Sequence, residues 1–300
     1  MRSLDRISSR ARTGRTNMDE TLTIDGQAFQ LLGTQRGGAS VYRGVGTYLR
    51  IGDSETIARD LALHRTMEKA RFPVAQIVQE GTLAHRSYFL ELSLGDASFR
   101  ALFEKDIDDA SAISAAKFKS FLSVSKQLMG AQTKMADGPW DVEEFAWGVK
   151  LTTLCRELPA HADEIRARFV KAAKRLSVLP KTLLHGDNNP ANMYQGGVID
   201  LEDSFYGPLG YDQIAALMSI EWSPVRRDYE FYAQYRFSDE QKKEYLKMVD
   251  TLGKKAGVAA LSEHADDLAF CRALWLCAGM QEWPMTQQWR FEKLIDTYLS

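Results

Sequence analysis

The 300-residue chain lacks most of the devices that assign a protein to a class at sight. Its three cysteines, Cys155, Cys271 and Cys277, form no CxxC pair. That excludes a disulfide framework and a thiolate zinc site and suits a reducing, cytoplasmic compartment. Its five histidines are scattered and make no HExxH ligand pair, which removes the common helical zinc hydrolases. No GxxxxGK[ST] stretch is present, so a P-loop fold is unsupported. No apolar run reaches the ~18 residues needed to cross a bilayer. The formal charge of −2 lacks the basic excess of a dedicated nucleic-acid binder.

What the chain does have is an ordinary globular composition, 45% hydrophobic and 26% charged, and enough length to bury a core without staples. Residues 1–18 stand apart. They hold five Arg and one Asp with no sustained apolar run, and they read as a disordered basic tail or an upstream start before Met18. From about residue 19 to 94 the pattern is that of strands and turns with one helix. "TLTIDGQAFQLLG" alternates around the turn pair Asp25-Gly26, short strands are expected at 40–43 and 47–51, and a helix follows with Ser54 as its expected N-cap. From 95 to 300 the periodicity is mostly helical, with a capping box at Ser238-x-x-Gln241. A small sheet-rich lobe followed by a larger helical one is therefore expected, and active sites often lie where two such units meet.

One stretch deep in the helical part is not helical. "LLHGDNNPANMYQGGVIDLEDSFYGPLGYDQIA", residues 183–215, carries a Pro that forbids helix at Asn189. Gly196-Gly197 then reads as the turn of a hairpin. Asp187 and Asn192 fall on the loop before that hairpin and Asp200 at its exit. Asx turns alone would account for isolated residues of this kind. The density of carboxylates and amides matches what phosphoryl transfer needs: one carboxylate for the acceptor hydroxyl, and a carboxylate and an amide oxygen for Mg²⁺, a cation that prefers oxygen ligands.

HGDNNPAN at 185–192, IDLED at 199–203 and Gly210-Tyr211-Asp212 follow the order H-G-D-x-x-x-x-N, then I-D, then a G…D element opening a helix. In this the chain resembles the aminoglycoside phosphotransferase and choline kinase-like family of small-molecule kinases, over about residues 20–290. The resemblance implies an α+β, protein-kinase-like two-lobe fold with ATP and Mg²⁺ as cofactors and a small-molecule hydroxyl as acceptor. With the charge and hydropathy above, no nucleic-acid partner and no membrane span are expected, in a monomer or homodimer. By the same resemblance Asp187 is the catalytic carboxylate, and Asn192 and Asp200 are the metal ligands. Gly37, Gly38, Ala39 and Ser40 lie over the phosphates, and the backbone around Glu91, Leu92 and Ser93 meets adenine. Arg50 stands where the family more often has Lys, paired with Asp60 where the family has Glu, and the two replacements alter the geometry of that pair. His185 is read as tying the loop together, and Asp212 as bonding the catalytic loop or capping the helix after it.

Alternatives stand beside this reading. A kinase-like regulatory module without catalysis would explain Arg50 and Asp60, and a metal-dependent hydrolase would use Asp187 and Asp200 without the usual histidines. Trp222, Trp275, Trp283 and Trp289 fit either core packing or a cage for a quaternary amine.

Overall fold

The computed structural model describes residues 21–35 and 38–299; the basic N-terminal stretch and Gly37 lie outside the described residues. The chain forms two compact units, the first ending at Asp96 and the second beginning at Ala97.

The first unit is one antiparallel sheet with a helix. Strands β1 (Thr21–Ile24), β2 (Gln27–Thr34), β3 (Ser40–Arg43), β4 (Thr47–Gly52), β5 (Ile77–Leu83) and β6 (Arg86–Leu92) are ordered β1-β2-β3-β4-β6-β5. Asp25 and Gly26 both take positive φ, 50° and 82°, the backbone that a two-residue hairpin demands. Period-two alternation divides the faces. Leu49 and Ile51 join Phe29, Tyr42, Tyr88 and Leu90 in one apolar cluster. Arg50, between them in β4, projects to the opposite face with its register partner Phe89. There Phe89 packs with Ala39 and with Ile57 of helix α1 (Ser54–Lys69). The sequence places the N-cap of α1 at Ser54; the cap is Asp53, whose carboxylate accepts from the Thr56 amide at 2.8 Å. The carboxylate outcompetes the neighbouring hydroxyl because it also takes the Thr56 hydroxyl.

The second unit is helical around two short sheets. It holds α2 (Phe99–Ala110), α3 (Ala115–Met135), α4 (Val142–Gly148), α5 (Leu151–Glu157) and α6 (Ala162–Leu176), then α7 (Tyr211–Met218), α8 (Asp239–Gly253), α9 (Ala265–Cys277) and α10 (Pro284–Leu294). The expected capping box at the start of α8 forms in full. Aromatic residues at helical spacing on α2 and α3 build the centre: Phe121 stacks on Phe237 at 5.4 Å and on Tyr245 of α8 at 5.5 Å, and Phe103 meets Phe121 edge-on. Between α6 and α7, β7 (Lys181–Leu184) pairs antiparallel with β10 (Phe205–Pro208), and β8 (Met193–Tyr194) pairs with β9 (Gly197–Val198).

Candidate functional site

Leu184 pairs with Phe205 across the β7–β10 ladder, so residues 185–204 are an excursion that leaves and returns at one end of two strands. That pairing brings HGDNNPAN and IDLED together although the hairpin β8–β9 separates them in sequence.

The turn out of β7 demands glycine. Gly186 has φ +83°, and a Cβ there would lie 1.9 Å from the Asp203 carbonyl oxygen. Gly186→Ala is expected to lose roughly 1–3 kcal/mol to left-handed strain alone, with the backbone clash in addition. A denaturant melt reads this directly, and a native midpoint would show that the loop has room to shift.

Asp212, fully buried at the start of α7, is the anchor of the loop. Its Oδ2 accepts from the His185 amide at 2.7 Å and from the Gln132 side chain of α3 at 2.5 Å, and its Oδ1 accepts from the Gly186 amide at 3.1 Å. Its own carbonyl accepts from Asn188 Nδ2. Burial pushes the Asp212 carboxyl pKa up, against the opposing pull of His185, the Gln132 amide and these backbone donors. Of the two expected roles, Asp212 has the loop-bonding one; the N-cap position of α7 is Gly210. His185 is buried, and its Nε2 lies 2.8 Å from the Ile199 carbonyl, which ties the loop to the strand ahead of Asp200.

Asp187 is held on three sides. Oδ1 accepts from Asn189 Nδ2 at 2.9 Å and from Arg272 Nη2 at 2.5 Å, and Oδ2 accepts from Asn192 Nδ2 at 3.0 Å. Sequence reasoning missed Arg272. It projects from α9, is 1% exposed, and also donates to the Gly186 carbonyl and to Ser219 Oγ, both at 3.0 Å. Burial works most strongly against its charge, but the Asp187 carboxylate and the Tyr211 hydroxyl together outweigh it and the guanidinium pKa is raised. The signal was present in the sequence: Arg272 is the one charged residue between Leu268 and Met280, and an apolar helix that keeps a lone arginine needs a carboxylate somewhere.

The amide of Asn192 gives its hydrogens to Asp187, at the carboxylate and at the backbone carbonyl 3.0 Å away. Its Oδ1 is not used in these two bonds. Asp200 follows Ile199, whose amide donates to the Asn192 carbonyl at 3.0 Å. Asp200 holds φ +66°, a backbone that non-glycine residues seldom adopt. An amide oxygen and a half-buried carboxylate at adjoining positions fit a hard divalent cation. Among the described residues no group of three or more His, Cys, Asp or Glu is placed to hold a metal ion.

In the first unit the expected nucleotide residues are placed unevenly. Gly38 takes φ +93° and its amide donates to the Gln35 carbonyl at 3.0 Å. Ala39 and Ser40 are fully buried, with the Ser40 hydroxyl between Thr34 and Arg86. The amides of Leu92 and Ser93 already donate to the Gln76 and Gly46 carbonyls, both at 2.9 Å. Arg50 makes its ion pair with Glu91, Nε to Oε1 at 3.3 Å, and bonds Gln35 Oε1 at 2.8 Å. Asp60 lies 3.6 Å from Arg59 instead. Sheet register explains the partner: Arg50 faces Phe89, and Glu91 lies two residues along on the same face. Burial raises the Asp60 carboxyl pKa, with the charges of Arg50 and Arg59 opposing.

An α+β, protein-kinase-like fold with this aspartate loop defines a class, that of the phosphotransferases. A model of the phosphotransferase enzyme family matches residues 40–246, and the chain belongs to that family. Among solved structures, the chain is similar to an aminoglycoside phosphotransferase, APH(3'')-Id from Streptomyces rimosus ATCC10970. The identity is 12% and the TM-score 0.52, over 82% of this chain and 92% of that one. It is also similar to a thermostable mutant of aminoglycoside phosphotransferase APH(4)-Ia in ternary complex with AMP-PNP and hygromycin B. There the identity is 14% and the TM-score 0.51, over 89% of this chain and 93% of that one. At these identities the likeness speaks for the fold. No curated protein sequence matches the chain.

Proposed function

We propose that the chain transfers the γ-phosphoryl group of MgATP to a hydroxyl group of a small molecule. The observation that carries this reading is the hydrogen-bond inventory of Asp187. Two donors occupy Oδ1 and one occupies Oδ2. A carboxylate oxygen accepts about two hydrogen bonds, so Oδ2 keeps capacity for one more donor, and an acceptor hydroxyl supplies it. The hydroxyl oxygen then attacks the γ-phosphorus, its proton passes to Asp187 Oδ2, and the bond to the β–γ bridging oxygen breaks to release ADP. Because such transition states are loose, orienting the hydroxyl matters more than strong basicity. A carboxylate fixed by three donors is suited to that task.

Asn192 Oδ1 and the Asp200 carboxylate are the proposed Mg²⁺ ligands, and Arg50 is the cation that the first unit offers to the phosphates. The ion, when bound, neutralises charge on the phosphate oxygens. A similar fold has been solved with AMP-PNP, which supports a nucleotide as donor. The test is ATP turnover by the purified chain with a panel of amino alcohols, sugars, amino sugars and aminoglycosides. Nucleotide binding without turnover on any acceptor would favour a non-catalytic module.

The metal assignment has its own test. Asp200→Asn replaces a charged oxygen ligand by a neutral amide, so nucleotide affinity should lose its dependence on Mg²⁺. Titration calorimetry with and without Mg²⁺ measures this; a Mg²⁺ dependence equal to that of the native chain would remove Asp200 from the ligand set.

A further inference from the structure

Arg290 of α10 is a buried cation without a carboxylate. It is 7% exposed, and its donors meet only neutral acceptors: Nε the Trp222 carbonyl at 2.7 Å, and Nη1 the Leu276 carbonyl at 2.5 Å and Met280 Sδ at 2.6 Å. Among the described residues its Nη2 has no acceptor. The Leu276 carbonyl lies in the last turn of α9, and a helix C-terminus offsets part of a positive charge. It carries only about half a unit of negative charge, whereas a desolvated guanidinium needs a full counter-charge. Burial first, and the Arg272 charge after it, lower the Arg290 pKa to about 10, with Cys277 and then the Asp187 carboxylate opposing.

Arg290 is tied to the catalytic loop through one short turn. Arg272, which holds Asp187, bonds the Ser219 end of the 3-10 turn Ser219–Trp222, and Arg290 bonds the Trp222 end. The same turn collects further cations. Lys293 donates to the Glu221 carbonyl at 2.6 Å, and the Glu221 side chain pairs with both Arg236 and Lys242, at 3.2 and 2.9 Å. Five cations thus surround the turn: Arg272 pairs with Asp187, Arg236 and Lys242 pair with Glu221, and Arg290 and Lys293 donate to backbone carbonyls.

The tryptophans argue the same way. Lys150 Nζ stands 3.8 Å from the centre of the Trp275 ring and Arg272 4.2 Å from it, and Lys293 lies over both Trp222 and Trp289 at 5.3 and 5.2 Å. Three of the four rings that would attract an ammonium group thus already hold the protein's own cations, and Trp283 packs edge-on with Phe231.

We infer that the acceptor carries an anionic group, a carboxylate or phosphate, received by Arg290 beside the 219–222 turn. This rests on the kinase reading above for what happens at the hydroxyl. The test uses the full chain and matched acceptors of three to six carbons: an ω-hydroxy acid, its ω-hydroxy amide, its phosphate ester and the corresponding amino alcohol. The anionic members should exceed the amide and the amine in kcat/KM by roughly 10–100-fold, the range of one charge-assisted hydrogen bond. Arg290→Gln should raise KM for the anionic acceptors by a similar factor with kcat little changed, leave KM for the amide in place, and be partly rescued by Arg290→Lys. Preference for the amino alcohol would overturn the inference. So would an Arg290→Gln variant that weakens every acceptor alike while lowering Tm, which would leave Arg290 as a helix cap only. If Arg290→Gln does not fold, the order of preference of the native chain decides. Calorimetry of the hydroxy acids with AMP-PNP and Mg²⁺ present covers the case of no turnover, where absence of binding by the acids again overturns it. Nucleotide titration alone, run in parallel, fails only if the kinase reading fails.

Discussion

Asp187→Asn is expected to bind MgATP and to transfer phosphate ~10²–10⁴-fold more slowly, the usual loss on removing a general base. The asparagine keeps one oxygen, which can stay against Arg272 Nη2 and Asn189 Nδ2. Its new amide nitrogen then occupies the Oδ2 position, where Asn192 Nδ2 donates at 3.0 Å in the native chain. Two donors cannot share that contact, so Asn192 must turn. A small rise in the Mg²⁺ concentration needed for half-maximal nucleotide binding should therefore accompany the large loss of rate. Acceptor affinity should change less than turnover, because the interaction strengthens mainly in the transition state. Single-turnover rates paired with nucleotide calorimetry separate these effects. Near-native turnover would return the loop to a purely structural role, and loss of nucleotide binding from a folded variant would move Asp187 into the metal site.

Arg272→Met should be the most damaging substitution for stability in the helical unit. The change strands Asp187, removes the donor to the Gly186 carbonyl and Ser219 Oγ, and takes the cation from the Trp275 face. Breaking a buried ion pair by removing one partner costs about 3–5 kcal/mol. If the cost comes mainly from the stranded carboxylate, Asp187→Asn combined with Arg272→Met should lose less than the sum of the two single changes, a coupling read from a double-mutant cycle in urea. Additive losses would show that the two side chains are neighbours without energetic dependence. Arg272→Lys should recover part of the stability but not the three-way grip, since one ammonium cannot reproduce the planar fork.

The local rules of the sequence account for a definite share of this protein. Asp25-Gly26 fixes the first hairpin because both positions tolerate positive φ. The period-two pattern of β4 sends Leu49 and Ile51 to one face and Arg50 to the other. Ser238 and Gln241 cap α8 as their spacing requires. The loop HGDNNPAN is irregular because proline and glycine forbid regular structure there, and its motif carries the family assignment that the family model also makes. All of these depend on residues within a few positions of each other.

What the sequence could not fix are contacts set by the pairing of distant segments. Asp187 and Arg272 are 85 residues apart, and only the packing of α9 behind the loop makes them an ion pair. Arg50 takes Glu91, 41 residues away, because β4 and β6 are neighbours in the sheet; the family resemblance suggested Asp60 and carried no information about that register. Gln132 and Asp212, 80 residues apart, meet because α3 runs beneath β7. The four tryptophans illustrate the same limit. Composition supplied rings that could attract a cation, but the fold brought lysines and arginines onto three of them. Local chemistry determined which groups the chain carries and the turns that present them. Tertiary packing decided the partners, because a buried charge is paired by whatever the fold brings within ~3 Å of it, and that neighbour is not encoded by proximity in sequence.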